Sequence, residues 1–221
     1  MLRPEAQAHP LTAVLRQVGA DSCPGRLNFH CHTLRSDGSL SPTALVQQAR
    51  DLGVEHLAIT DHHDHGAHAE AEAALAGAPD SAPPSLTLWR GVEISCLLEG
   101  CLVHVLALGF GPEHGALEPY LRGSAVAGAE LRAEAVLQAI RAAGGLALLA
   151  HPARYRLPHR QLIAAAAQLG FDGAEAWYDY DMQPRWAPSP LVCEAIASDL
   201  AERGLLQSCG TDTHGLALDG R

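Results

Sequence analysis

Short apolar runs alternate along this chain with segments in which apolar residues recur at helical spacing. The runs predict β-strands because they are brief, rich in leucine, valine and alanine, and bounded by glycine or polar residues. The predicted strands cover residues 27–32, 57–60, 86–93, 102–110, 146–150, 174–177 and 206–209. Strands that alternate with helices favour an α/β domain with a mainly parallel sheet.

The clearest predicted helix begins at Ser41. Ser41 has the side chain of an N-cap, Pro42 suits the first helical turn, and Gly53 ends the apolar periodicity. A second helix is predicted over residues 128–143, and a short one over residues 10–18. We expect a single domain over residues 27–221, preceded by an extension over residues 1–26, with a proline-rich surface connection at residues 77–85.

Composition narrows the cellular context. The chain has 221 residues, enough for one substantial core, and no run of about 18 apolar residues that would span a bilayer. Residues 1–26 lack the pattern of a secretory signal, so we predict a cytoplasmic protein without membrane contact. The net charge of −10 argues against stable binding of duplex nucleic acid. The six cysteines include no C-x-x-C pair and predict buried free thiols.

Lysine is absent from the sequence, since all fifteen basic residues are arginine. This absence excludes a phosphate-binding loop with its lysine, a Schiff-base lysine and a carbamylated lysine bridging two metals. Thirteen histidines remain to be explained. Each one taken alone fits either metal ligation or an ordinary exposed or hydrogen-bonded position, so their placement decides between the two.

Residue types that bind metals follow almost every predicted strand. His30 and His32 point to the same side of the first strand because side chains alternate along a strand. His104 interrupts an apolar run, where an unpaired imidazole would cost roughly a few kcal/mol to bury. The other candidates at strand ends are Asp61, His62, Glu93, His151, Asp212 and His214. H-x-H alone is a short pattern that arises by chance, but the joint pattern predicts a metal centre on one face of a barrel.

Six segments together carry a family resemblance. The segments FHCHTLRSDGSLSP, LAITDHHD, GVEIS, VHVLALGF, LLAHPARY and CGTDTH are similar, in this order, to the motifs of the PHP (polymerase and histidinol phosphatase) superfamily. The resemblance covers roughly residues 27–214. It implies a distorted seven-stranded β/α barrel and a metal-dependent phosphoesterase or phosphatase.

The resemblance also implies three sets of metal ligands. The first metal would be bound by His30, His32, Glu93 and Asp212, and Glu93 would bridge to a second metal held by His104 and His151. A third would be bound by Asp37, His62 and His214. Six imidazoles and three carboxylates suit zinc, manganese or iron(II) better than magnesium or calcium. The resemblance favours two or three ions of manganese or zinc, with iron as a further candidate.

The predicted reaction is hydrolysis of a phosphomonoester, carried by a nucleotide, a short oligonucleotide such as RNA, or a small metabolite. Glu93, Asp37 and Asp61 are the predicted catalytic carboxylates; Asp61 would orient an imidazole, or else cap a helix or bond to a loop. Without lysine, substrate phosphate needs arginine, and the candidates are Arg154, Arg156 and Arg35. The sequence does not indicate an oligomeric state.

Two other functions remain open on the sequence alone. An amidohydrolase-like metal hydrolase also begins with H-x-H on a first barrel strand, although the missing lysine and the Asp37-Gly38 pair argue against it. A noncatalytic regulatory or binding domain stabilised by metal is the other alternative. Degenerate ligand positions would favour it, and all nine implied positions hold residues that can bind metal.

Overall fold

Seven strands form one sheet in chain order in the computed structural model, which describes residues 2–77, 86–112 and 115–220. The strands are β1 (Leu27–Asn28), β2 (His56–Ile59), β3 (Thr87–Leu98), β4 (Cys101–Leu108), β5 (Leu146–Leu149), β6 (Gly173–Trp177) and β7 (Leu206–Cys209). The helices are α1 (Pro4–Ala8), α2 (Pro10–Leu15), α3 (Pro42–Asp51), α4 (Ala67–Ala76), α5 (Ala133–Ala142), α6 (His159–Leu169) and α7 (Pro190–Arg203). All but the first residue of the predicted connection at 77–85 lies outside the described residues.

The first and last strands come together and nearly close the sheet into a barrel. The Phe29 amide, just beyond β1, donates to the carbonyl oxygen of Cys209 at 3.0 Å, and Cys31 forms a parallel bridge with Thr213. The prediction of a distorted seven-stranded barrel is confirmed. The first strand is shorter than predicted, because beyond Asn28 the chain pairs irregularly with the segment that carries Asp212.

One strand runs against the others. β4 is antiparallel to both β3 and β5, whereas the other neighbouring pairs from β1 to β7 are parallel. Ser95 of β3 lies opposite His104 of β4. Because β4 is reversed, a residue near its beginning lies at the same end of the barrel as the later part of β3. His104 therefore reaches the face where the parallel strands end.

The N-terminal helices pack against the barrel strands. Ala6 of α1 and Leu11 of α2 are buried in the same apolar cluster as Leu27 and Leu148. The predicted helix over 10–18 is present but ends at Leu15, and α1 was not predicted. The division into an extension and a barrel domain stays a prediction.

Two predicted helices show how local signals succeed and fail. In α3 the Ser41 hydroxyl accepts a hydrogen bond from the Ala44 amide at 3.2 Å, as an N-cap does, and the prediction is confirmed. The helix predicted over 128–143 is interrupted. Arg132 is extended and forms a bridge with Leu97, so a 3-10 turn over Gly128–Leu131 precedes α5.

All six cysteines are free and buried, as predicted. Among the described residues, no helix combines the length and apolar character needed to cross a bilayer.

Candidate metal centre

The carboxylate of Glu93 is the centre of the site. Its side chain is buried, and five imidazoles point ring nitrogens at its two oxygens. Oε2 is approached by His30 at 3.1 Å, His32 at 3.2 Å and His62 at 3.4 Å, and Oε1 by His104 at 2.9 Å and His151 at 3.2 Å. Each carboxylate oxygen thus faces a different set of imidazoles, which is the arrangement expected of a carboxylate that bridges two metal ions.

Donor atoms fall into three overlapping groups, each with its atoms within 4.8 Å of one another. The groups are His30, His32, Glu93 and Asp212; His62, Glu93 and His104; and His32, Asp37, His62 and His214. The first has the membership that the sequence resemblance implied. His32 belongs to the first and third groups, Glu93 to the first and second, and His62 to the second and third. His151 joins through its contact with Glu93. The structure therefore brings all nine predicted ligands together.

Close backbone packing places His30 beside Asp212. The Asp212 amide donates to the carbonyl oxygen of His30 at 2.7 Å, and a Cβ atom added at Gly210 would clash with His30. Gly38 has a similar role on the other side, since its Cβ would lie 2.5 Å from the backbone of His32. Glycine at these two positions lets the loops carrying Asp212 and Asp37 approach the H-x-H segment.

Two ligand candidates have strained backbones. His151 has φ 25° and ψ 62°, and Asp212 has φ 50°. Side-chain-bearing residues in such regions cost about 1–3 kcal/mol each and persist where the surrounding structure enforces them. Two of the five described non-glycine residues with positive φ are therefore predicted ligands, and functional sites are a common place for such strain.

The electrostatics of the cluster favour bound positive charge. Burial would raise the pKa of Glu93, but the imidazoles around it, His30 first, hold the pKa well below its ordinary value. Burial would lower the pKa of His32, but hydrogen bonds to Asp212 and Glu93 raise it to about 9. Burial opposes ionisation of Asp212, yet His30 and His32 hold its pKa well below the usual range. The ionised carboxylates of Glu93 and Asp212 thus outweigh burial and raise the pKa of His30 and His32, whereas burial lowers the pKa of His62 to about 4. A divalent cation would replace the protons on the first two rings.

The ring orientations also fit metal ligation. His214 Nδ1 lies 2.9 Å from the carbonyl oxygen of Asp212, so it carries the proton and leaves Nε2 free to face Asp37, 3.3 Å away. His30 Nδ1 lies 3.1 Å from Glu175, and its Nε2 faces Glu93. A proton fixed on one ring nitrogen leaves the other as a ligand, the usual arrangement around metal-binding histidines. The donor set therefore fits divalent metal ions.

A cavity of about 330 Å³ opens onto this cluster. Its walls are formed by Asp37, His62, Glu93, His104, His151, Arg154, Tyr155, Asp212 and His214. Of the three arginines predicted to bind phosphate, Arg154 is in the wall. Its Nη1 donates to the hydroxyl of Tyr178 at 2.8 Å and to Asp212 Oδ2 at 3.1 Å.

The other two arginines point elsewhere. Arg156 donates to the carbonyl oxygen of Gly100 at 2.7 Å, in the turn between β3 and β4. Arg35 pairs with Glu70 of α4 at the protein surface. Neither is in the cavity wall. Sequence proximity to a motif was a weak signal because these long side chains bind partners in a neighbouring turn and helix.

Asp61 binds a loop and not an imidazole. Its Oδ1 accepts from the Thr33 amide at 2.7 Å and from the Ser36 hydroxyl at 2.6 Å, and its Oδ2 accepts from the Thr33 hydroxyl at 2.6 Å. Of the two roles that the sequence left open, the loop hydrogen bond is the one observed. Asp61 thereby fixes the segment that leads to Asp37.

Two buried groups outside the predicted ligand set contact the ligands. Glu175 of β6 accepts from His30 and from the His151 amide, and Tyr178 donates from its hydroxyl to Asp212 Oδ2 at 2.6 Å. A signal for Glu175 was available, because a carboxylate within an apolar strand needs a buried partner. Tyr178 follows the end of its strand, where an aromatic residue does not by itself indicate a hydrogen bond to a ligand.

The fold is a β/α barrel, and six imidazoles and three carboxylates lie together at one end of it. This class of protein is a barrel with a candidate metal centre. The chain belongs to the PHP domain family, whose model matches residues 28–172, more than half of the sequence.

Curated relatives match the chain over shorter stretches. A 5'-3' exoribonuclease of Haemophilus influenzae is 39% identical over 89 residues, which cover 40% of this chain and 30% of that protein. A 3',5'-nucleoside bisphosphate phosphatase of Chromobacterium violaceum is 34% identical over 96 residues, covering 43% of this chain and 32% of that protein. The matched stretches thus span about a third of the relatives' length.

Solved structures match the fold over nearly the whole chain. An amidohydrolase of Chromobacterium violaceum, solved with bound sulfate and no metal, has a TM-score of 0.71 at 23% identity, covering 88% of this chain and 89% of its own. A proposed metal-dependent phosphoesterase of Bifidobacterium adolescentis has a TM-score of 0.68 at 23% identity, covering 90% and 91%. At this identity the likeness supports the barrel fold.

Proposed function

We propose that this protein is a metal-dependent phosphoesterase that hydrolyses phosphomonoesters. The observation that carries the proposal is the Glu93 carboxylate, which faces five imidazoles and lies in the wall of a cavity that also presents the guanidinium of Arg154. A cluster of metal ligands beside a cationic side chain suits a substrate with concentrated negative charge. Membership of the PHP domain family supports the same reaction.

The protein's own groups would bind and orient the ester. The guanidinium of Arg154 is placed to donate to a non-bridging phosphate oxygen from the cavity wall. Glu93 and Asp37 are the proposed catalytic carboxylates that line the cavity, and Asp61 fixes the loop before Asp37. In the reaction, water oxygen bonds to phosphorus, the ester oxygen leaves, and that oxygen takes up a proton to give the alcohol and inorganic phosphate.

We propose two or three divalent ions, manganese or zinc, with iron as a further candidate. Bound ions would neutralise phosphate charge and lower the pKa of water toward neutrality. The ligands would be the nine residues named above, with Glu93 shared between two ions. Three overlapping donor groups support this number.

Nucleotides, the ends of short oligonucleotides and small phosphorylated metabolites are the proposed substrates. The curated relatives are named for nucleoside bisphosphates and for RNA, although each matches over about a third of its length. A cavity of about 330 Å³ is large enough for a phosphate and part of its alcohol, which is compatible with any of these esters. Cytoplasmic localisation stays a prediction.

A phosphate-release screen tests the proposal. Purified protein with added Mn²⁺ would be assayed on p-nitrophenyl phosphate, mononucleotides, nucleoside bisphosphates, sugar phosphates, histidinol phosphate and short RNAs, beside a panel of amides and lactones. We expect phosphate release that His32→Ala and Glu93→Ala abolish while circular dichroism shows a retained fold. Full activity in both variants would contradict the assigned site.

The same screen separates the competing functions. Turnover of amides or lactones without phosphate release would support an amidohydrolase-like enzyme. A metal-loaded protein that is inert on every ester yet binds a nucleotide or a partner protein would support a noncatalytic domain.

A further inference from the structure

Glu175 lies at the base of the metal centre without being one of the nine predicted ligands. It belongs to β6, its side chain is fully buried, and a carboxylate in that position requires hydrogen-bond donors. It has donors from two separate loops. His30 Nδ1 lies 3.1 Å from Oε1 and 3.2 Å from Oε2, and the His151 amide donates to Oε2 at 2.9 Å.

The contact with His30 sets which nitrogen can bind a metal. Both ring nitrogens face carboxylates, since Nδ1 lies 3.1 Å from Glu175 and Nε2 lies 3.1 Å from Glu93. A metal ion bound at Nε2 would therefore leave the ring proton on Nδ1, where Glu175 accepts it. The lone pair of Nε2 is then directed toward Glu93 and Asp212, which lie 3.1 and 3.2 Å from it. The opposite tautomer would place a proton on Nε2, between the ring and the other ligands.

The contact with His151 acts on a different donor group. His151 has φ 25°, a conformation that its own side chain disfavours, and its amide is tied to Glu175. This bond fixes the turn after β5, from which the ring reaches Glu93 Oε1 at 3.2 Å. One buried carboxylate thus orients ligands that approach the two different oxygens of Glu93.

We infer that Glu175 is a positioning residue that fixes the His30 tautomer and the His151 backbone together, and so couples the two metal sites bridged by Glu93. The inference deepens the proposed metal centre and rests on it. Outer carboxylates bonded to metal-binding histidines commonly change metal affinity by about 10- to 100-fold when they are removed. Here a single substitution is expected to weaken both sites.

Glu175→Gln is a sharp test because it preserves shape and removes one acceptor. Both present partners donate, whereas glutamine offers one oxygen and one NH₂ group. If the oxygen faces His151, the NH₂ group forces the proton of His30 onto Nε2. If the oxygen faces His30, the glutamine NH₂ group faces the His151 backbone N–H, and two donors are then opposed. Either orientation disturbs a ligand.

Asp172→Asn is the matched control. Asp172 is also buried, immediately before β6, and it also joins a backbone amide to a side chain: Ala147 donates to it at 3.0 Å and Arg3 at 3.0 Å. It is not part of the ligand groups. Asp172→Asn therefore shows the effect on the fold of altering a buried, hydrogen-bonded carboxylate, while the residues of the metal centre stay unchanged.

The experiment measures Mn²⁺ affinity by titration calorimetry and bound metal per chain by elemental analysis, with circular dichroism as the test of folding. We expect Glu175→Gln to bind Mn²⁺ about 10- to 100-fold more weakly, with less metal per chain, and Asp172→Asn to bind as the wild type does. Wild-type affinity in Glu175→Gln, or an equal loss in Asp172→Asn, would overturn the inference.

A second measurement applies if Glu175→Gln does not fold. Nitrogen NMR of the zinc-loaded wild type should show His30 protonated at Nδ1 and unprotonated at Nε2. The reverse assignment would overturn the inference. These readouts do not depend on turnover. A wild type that binds Mn²⁺ in the expected way but releases no phosphate would contradict the proposed hydrolysis and leave the role of Glu175 standing.

Discussion

Arg154 is the residue through which the proposed substrate class can be tested most directly. Arg154→Met keeps the apolar stem and removes the guanidinium from the cavity wall. A hydrogen bond between charged groups contributes about 1.5–3 kcal/mol. Since about 1.4 kcal/mol corresponds to a factor of ten, kcat/KM for phosphomonoesters should fall about 10- to 100-fold.

Metal binding should survive this substitution. Arg154 donates to Asp212 Oδ2 at 3.1 Å, but Tyr178 donates to the same oxygen at 2.6 Å and remains in place. Asp212 thus keeps one of these two donors and its contacts with the imidazoles. The assay would combine p-nitrophenyl phosphate hydrolysis in Mn²⁺ with elemental analysis of the purified variant.

Arg156→Met and Arg35→Met are the controls, because both arginines have partners away from the cavity. We expect both controls to keep wild-type kcat/KM. The reasoning would be refuted if Arg154→Met stayed within about twofold of the wild type with its metal retained, or if a control lost as much activity as Arg154→Met.

Three further predictions concern stability and metal binding. Mn²⁺ at about 100 times its Kd should stabilise the chelator-treated protein by about 2.7 kcal/mol. Calorimetry should show a rise in Tm of about 5–10 °C, and no rise would contradict metal binding to the folded state. Tyr178→Phe should lower the free energy of unfolding by about 1.5–3 kcal/mol in denaturant titrations, because a buried bond to Asp212 is lost; an unchanged midpoint would contradict that bond. Gly210→Ala should weaken Mn²⁺ binding because the added Cβ would push His30 away from Asp212. Gly19→Ala is the control, since a Cβ there meets nothing within 4 Å, and it should bind Mn²⁺ as the wild type does. Equal affinity in both variants would count against the close approach of Gly210 to His30.

Residues close in sequence were predictable because local patterns carry them. Side-chain alternation put His30 and His32 on one side of a strand, and the cap at Ser41 marked the start of α3. Contacts between residues distant in sequence were harder to predict. His63 is an example: its side chain is buried, and its Nδ1 lies 3.2 Å from the carbonyl oxygen of Tyr120, 57 residues further along the chain.

By itself the sequence determined the approximate positions of the strands, the nine metal-binding residue types and the family motifs that imply a barrel. Tertiary structure decided which donors meet: the reversal of β4 brings His104 to Glu93, and Glu175 connects loops that follow different strands. It also decided that Arg154 faces the cavity while Arg156 does not. The physical reason is that spacing along a strand determines only the side to which a residue points. Closure of the barrel determines which residues of other strands lie next to it.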